Sequence, residues 1–302
     1  MSKFLAAAGI LMLCVCSTTA MAQPDFSEDL YYTNPVTFEI GTSLGAMNCL
    51  TDLGGKKGIG KNFIGDLNLQ NSQLCGSIYG TTFYKNAVGL RTEFTWGVVK
   101  ASDNVLNSVK ESTLGRYDRN LNFRSTIFEM MVAGEIHPLY FKHYPEKHHL
   151  PRLSPYIMGG IGFFVFNPRT KMDGVWTDLQ PLHTEGQGFA EYPDRKPYKL
   201  KQFNFPAGGG FRYKLAPNVN FSAECVYRFL NTDYLDDVST TYIDKSLFQK
   251  YLEPAFVNQA ERLYDRQKEI NPNHTTVVGD IRGNPRKNDS YFSFNFKVGI
   301  VF

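Results

Sequence analysis

The chain has 302 residues, a net charge of +3, 14% aromatic residues and 26 glycines. That charge is too small to argue for a nucleic-acid partner. Past the leader, no segment carries the roughly 18 consecutive apolar residues of a spanning helix. Aromatic-rich, glycine-rich chains of this kind suit β-barrels, where rings form girdles at the membrane interfaces and glycines permit tight strand packing.

Met1, Ser2 and Lys3 precede the apolar run FLAAAGILMLCVC and the small-residue stretch STTAMA. This order predicts a secretory signal peptide over 1–22, cut after Ala22, and a single barrel domain over 23–302. Neither Cys14 nor Cys16 follows the small residue that a lipoprotein signal needs. Beyond the leader stand Cys49, Cys75 and Cys225, too few for a disulfide scaffold.

Strands are predicted at Val36–Leu50, Asn71–Phe83, Ala87–Lys100, Asn120–Ile136, Pro155–Phe166, Leu200–Leu215, Val219–Asn231 and Asp289–Phe302. The third shows Val88, Leu90, Thr92, Phe94, Trp96 and Val98 on one face, with Arg91, Glu93 and Thr95 on the other. The seventh sets Val219, Phe221, Ala223, Cys225, Tyr227 and Phe229 against Asn220, Ser222, Glu224 and Arg228. In the last, Phe292, Phe294, Phe296, Val298, Ile300 and Phe302 share a face, opposite Ser293, Asn295, Lys297 and Gly299. Side chains alternate along a strand with period two, so one face is apolar and the other polar. A soluble sandwich can show this too, but closing on an outward aromatic is the habit of outer-membrane barrels. The fold class expected is all-β: an eight-stranded antiparallel transmembrane β-barrel, exported to the outer membrane and bathed in its lipids.

Connectors support this topology. Tyr84–Asn86 and Ala216–Asn218 are short, whereas Thr51–Gln70, Ala101–Arg119, Asn167–Lys199 and Thr232–Asn288 are long. Short and long alternate, as periplasmic turns and extracellular loops do. His137–Ser154 is the exception, long where a short turn is due. In the last loop, Leu247, Tyr251, Leu252, Phe256, Ala260, Leu263 and Tyr264 fall near helical spacing. Pro254 is expected to kink that helix or to start a second piece.

The inward faces carry matched charges: Glu39, Glu93, Glu129, Glu135 and Glu224 against Arg91, Arg124, Arg212, Arg228 and Lys297. An eight-stranded barrel is just wide enough for side chains to fill, and buried charges must be paired. A plugged lumen follows. Arg124 and Glu129 share the inner face only if a bulge separates them. Cys49 and Cys75 also fall inward, equally far from the midpoint of the first loop, so a disulfide between them is chemically allowed in an oxidising periplasm.

Other groupings carry less chemistry. His137, His143, His148 and His149 lack a zinc spacing and read as a solvated turn. Asp233, Asp236, Asp237 and Asp244 lack the order of a calcium loop and read as turn and cap residues. His183 and Glu185 have no triad spacing. The expectation is a barrel that is not an enzyme and carries no cofactor.

Several runs resemble one family. They are GDLN (Gly65–Asn68), NFRSTIFEM (Asn122–Met130), SPYIMGGIGFFVFNP (Ser154–Pro168), LQPLHTEGQG (Leu179–Gly188) and NTDYLDDVSTTY (Asn231–Tyr242). Together, and in this order, they resemble the PorG-like outer-membrane barrels of Bacteroidetes. The resemblance implies a non-enzymatic component of type IX secretion, associated with a periplasmic ring formed by a lipoprotein and its partner protein. His183 stands where the family pattern leads one to expect glycine. The alternative is a stand-alone barrel binding a ligand or envelope polymer through its outer loops. Under the first reading, the long connector on the short-turn side is the candidate docking surface. Its rings Tyr140, Phe141 and Tyr144 and its cations Lys142, Lys147 and Arg152 are the mixture that anchors interfaces. The plain alternative is an aromatic, basic turn resting at the membrane surface.

Overall fold

The computed structural model describes residues 35–55, 68–113, 115–141 and 151–302. The expected signal peptide lies outside these residues. The strands are β1 (Val36–Leu50), β2 (Gln73–Tyr84), β3 (Val88–Ser102), β4 (Asn122–Ile136), β5 (Leu153–Val165), β6 (Arg169–Met172), β7 (Val175–Asp178), β8 (Lys201–Ala216), β9 (Val219–Leu230) and β10 (Ser290–Val301). All but β6 and β7 form a closed antiparallel barrel: β1 pairs with both β2 and β10, and the β3–β4 and β5–β8 seams complete the circle. Closure satisfies every strand's backbone groups within the sheet, which a membrane-embedded sheet requires.

The alternation read from sequence sorts the two faces. Phe94, Trp96, Phe128, Phe163, Phe203, Phe294 and Phe296 point outward and are exposed. Glu93, Glu129, Ser293, Asn295 and Lys297 point inward and are buried. Such an inversion, apolar outside and charged inside, is stable only in lipid. No helix among the described residues is long and apolar enough to cross a membrane. The long strands run 12–16 residues, beyond the roughly 9–11 that a tilted strand needs to span the membrane. Their ends therefore project beyond it.

At the short-turn end, Lys85 and Asn86 adopt φ of 51° and 54°, the left-handed pair that closes a tight hairpin. By the usual rule this end is periplasmic. At the other end the long loops pack together. Loop residues Leu179, Leu182, Leu235, Val238, Tyr242 and Phe248 join strand residues Met47, Val99, Phe123, Phe164 and Tyr291 in one apolar cluster. Helices Ser246–Tyr251 and Pro254–Leu263 lie on it, and Pro254 opens the second, as its missing N–H and fixed φ favour. The outer loops thus form a folded cap.

Three expectations are corrected. The third long connector is partly ordered as the β6–β7 hairpin, turning at Asp173 (φ 52°) and Gly174 (φ 83°). The second strand starts at Gln73, because Leu69–Asn71 forms a 3-10 turn. The fourth strand has no bulge: its register against β3 runs unbroken from Asn122 to Ile136. Arg124 therefore faces outward, exposed, with its guanidinium 5.6 Å from the Trp176 ring centre.

Candidate functional site

The lumen is filled by one network. Arg91 sits at its centre and bonds Glu224 (2.6 Å), Glu93 (3.2 Å) and Glu135. Lys297 bridges Glu93 (2.6 Å) and Glu224 (3.4 Å). Above them, Arg228 pairs with Glu129 at 3.1 Å; below, Arg212 lies 3.7 Å from Glu39 and 3.5 Å from Glu135. Neutral donors complete the carboxylates: Tyr79 and Asn220 on Glu39, Tyr156 on Glu224, Asn204 and Tyr291 on Glu129. Tyr79 reaches Glu39 (2.7 Å) by crossing Gly41 and Gly299, where an added Cβ would stand 2.5 and 2.6 Å from its hydroxyl. Nine of the ten residues expected here are present, and Arg124 is the one that is not.

His137 takes a place in this network that the sequence reading gave to the surface turn. It is fully buried, bonds Glu135 at 3.2 Å and stacks on Tyr156 with ring centres 4.9 Å apart. It stands two residues past the inward-facing Glu135, and that parity was the available signal. His143, His148 and His149 lie outside the described residues. Of the docking candidates, Lys142, Tyr144 and Lys147 also lie outside them. Phe141 and Arg152 are exposed, while Tyr140 is half-buried, its ring 6.1 Å from His137.

Cys49 and Cys75 are not bridged. Both thiols are free, since the β1–β2 register pairs Cys75 with Gly45 and leaves Cys49 four residues further up. Cys75 lies 3.3 Å from Asn295 Oδ1, and Cys49 points to the Lys100 carbonyl at 3.6 Å. Cys225 is exposed on the lipid face.

The cap is built around Glu185. Its carboxylate accepts the backbone N–H groups of Ser239 (3.0 Å) and Thr240 (2.8 Å), the Thr240 hydroxyl (2.6 Å) and Arg282 (2.8 Å). Those bonds occupy both oxygens and leave none to orient His183. Asp237 accepts Thr184 (2.6 Å) and Tyr198 (2.7 Å). Burial pushes the Asp237 carboxyl up to about 6, held from going further by Arg282 and these hydroxyls. His183 takes φ 46°, the left-handed region that favours glycine.

Beneath this hub, Asp233, Asp236 and Asp289 form a buried acidic group, with half-buried Asp52 beside them. Asp52 accepts Asn284 N–H (2.6 Å), Asp236 accepts Leu53 and Val238 N–H (3.2 and 3.0 Å), and Asp289 accepts Leu235 N–H (2.8 Å). Both Asp233 oxygens lack a hydrogen bond. Burial first, and the neighbouring carboxylates next, push Asp236 up to about 8 and Asp289 well above the usual range. Burial likewise raises Asp233 to about 9. Asp244 is elsewhere, capping Ser246 N–H at 2.9 Å. Among the described residues no three His, Cys, Asp or Glu side chains could hold one metal ion. A cavity of about 1000 Å³ opens beside the group, lined by Asp52, Arg116, Arg119, Tyr242, Arg282 and Lys287.

Barrel, filled lumen and cap together define an integral membrane β-barrel of the outer-membrane type, eight-stranded and closed. No protein-family model matches the chain, and no curated protein matches it. Solved structures similar to it include Neisserial surface protein A (7% identity, 88% of this chain and 99% of that one, TM-score 0.40). Others are the attachment invasion locus protein Ail of Yersinia pestis with sucrose octasulfate, a heparin analogue (9%, 88% and 97%, TM-score 0.37), and OprG of Pseudomonas aeruginosa (11%, 88% and 95%, TM-score 0.37). The class rests on the barrel's own geometry.

Proposed function

We propose that this barrel is a non-enzymatic structural component of type IX secretion, fastening the periplasmic ring lipoprotein and its partner protein to the outer membrane. The observation that carries the reading is the filled interior. Arg91, Arg228 and Lys297 are buried in contact with carboxylates across the lumen, which supports a scaffold role over conduction. The resemblance supplies the partner, and two of its runs meet in the cap, where Thr184 and Glu185 bond residues of the segment Asn231–Tyr242. Docking is assigned to the connector after β4, on the side of the short turns, through Phe141 and Arg152. A tagged copy should co-purify with the ring proteins. Phe141→Ala with Arg152→Ala should insert normally and lose them. Insertion with unchanged capture would refute this docking surface, and no capture by the parent chain would refute the secretion role.

The second reading, a stand-alone barrel binding a ligand through its outer loops, draws on the cap cavity with acids and bases on its wall. It predicts no ring capture and full function of the double variant.

A further inference from the structure

A row of cations crosses the outer surface of the barrel just above its apolar belt. Lys100 on β3 pairs in register with Arg124 on β4, and Arg124 pairs with Arg169 on β6. Directly opposed residues share a face, with Cβ atoms about 5 Å apart. One step outward on the hairpin, Lys171 lies opposite Trp176, whose ring centre is 5.3 Å from the Lys171 amine and 5.6 Å from the Arg124 guanidinium. Arg169 is held by Asp178. Among the described residues, no carboxylate pairs with Lys100, Arg124 or Lys171.

Depth identifies what this row meets. Trp96 pairs with Phe128 at the top of the exposed apolar face. Arg124 stands four residues further along β4, about 13 Å of strand or roughly 10 Å of height at the usual barrel tilt. That is the level of headgroups, at the end bearing the long loops. Like charges set directly opposite on neighbouring strands are destabilising unless an anion lies between them. Guanidinium and ammonium groups side by side suit phosphate oxygens, and Trp176 is the amphipathic ring that interfaces favour.

We propose that Lys100, Arg124, Arg169 and Lys171 seat the phosphate of an outer-leaflet glycolipid of the lipid A type. The site is independent of any secretion role. Acyl chains of such a lipid would run down over Trp96 and Phe128.

Native mass spectrometry of the full chain in detergent tests this, with diphosphorylated lipid A, the same lipid stripped of phosphate, and phosphatidylglycerol as probes. Diphosphorylated lipid A should be retained roughly tenfold or more over the stripped lipid, the worth of about one charge-assisted hydrogen bond. Retention should also exceed that of phosphatidylglycerol. Lys100→Gln, Arg124→Gln and Lys171→Gln combined should abolish the preference and keep a heat-modifiable barrel, since all three side chains lie outside the lumen. Equal retention of stripped and phosphorylated lipid A overturns the proposal. So does a matching affinity for phosphatidylglycerol, or a folded triple variant that keeps its preference.

Discussion

Replacing Arg91 with Met probes the lumen at its most connected point. Arg91 makes three charge-assisted contacts, to Glu93, Glu135 and Glu224. Each such bond is worth about 1.5–3 kcal/mol. The sum overstates the loss, because each carboxylate keeps a second cation. Lys297 stays on Glu93 and Glu224, and Arg212 lies 3.5 Å from Glu135. Breaking a buried pair from one side costs about 3–5 kcal/mol, the figure expected here. Folded and unfolded fractions would be read from heat-modified gel mobility across a urea series in detergent. Adding Glu224→Gln to Arg91→Met should recover part of the loss, since it removes one of the three carboxylates that lost a cation. A single variant within about 1 kcal/mol of the parent would refute the claim that paired charges hold the lumen.

Three further outcomes are expected. Phe296→Arg, near the middle of the lipid face, should impair insertion by about 2–4 kcal/mol; normal assembly in lipid vesicles would reverse the facing assignment. Asp233 and Asp236, raised to about 9 and 8, keep protons in the folded cap that the unfolded chain has lost above about pH 4. Cap stability should therefore fall as pH rises from 4 through 9, Asp236→Asn should flatten that slope, and limited proteolysis of the outer loops between pH 5 and 9 would show it; protease resistance independent of pH would contradict the cluster. His183→Gly should stabilise the cap by roughly 0.5–1 kcal/mol, because a left-handed residue with Cβ costs about 1–2 kcal/mol and glycine returns part of that in entropy; a lower urea midpoint for cap opening would argue against strain there.

Much of the barrel was legible because lipid outside and a narrow lumen inside impose strict alternation, plainest in β3, β9 and β10. Arg124 was misplaced by the assumption that every strand charge turns inward. Beta4 outruns the membrane, so its outer end can present a cation to headgroups. The β6–β7 hairpin had its own signal, Asp173-Gly174 between short β-forming runs. The cap helices were legible in the spacing from Leu247 to Tyr264 and in Pro254, but the contacts that assemble the cap were not. Glu185 and Arg282 stand 97 residues apart, and nothing local to either forecasts their contact. Cysteine parity placed both thiols inward, but register depends on how the first loop closes, which parity does not contain.

Single-channel recording in planar bilayers addresses the central claim most directly, using protein whose heat-modifiable mobility shows it folded. A barrel closed by the Arg91 network and by the packed cap should leave the bilayer at its bare conductance over the physiological voltage range. Stable, ohmic channel steps from the folded parent chain would contradict the filled lumen and the scaffold role built on it.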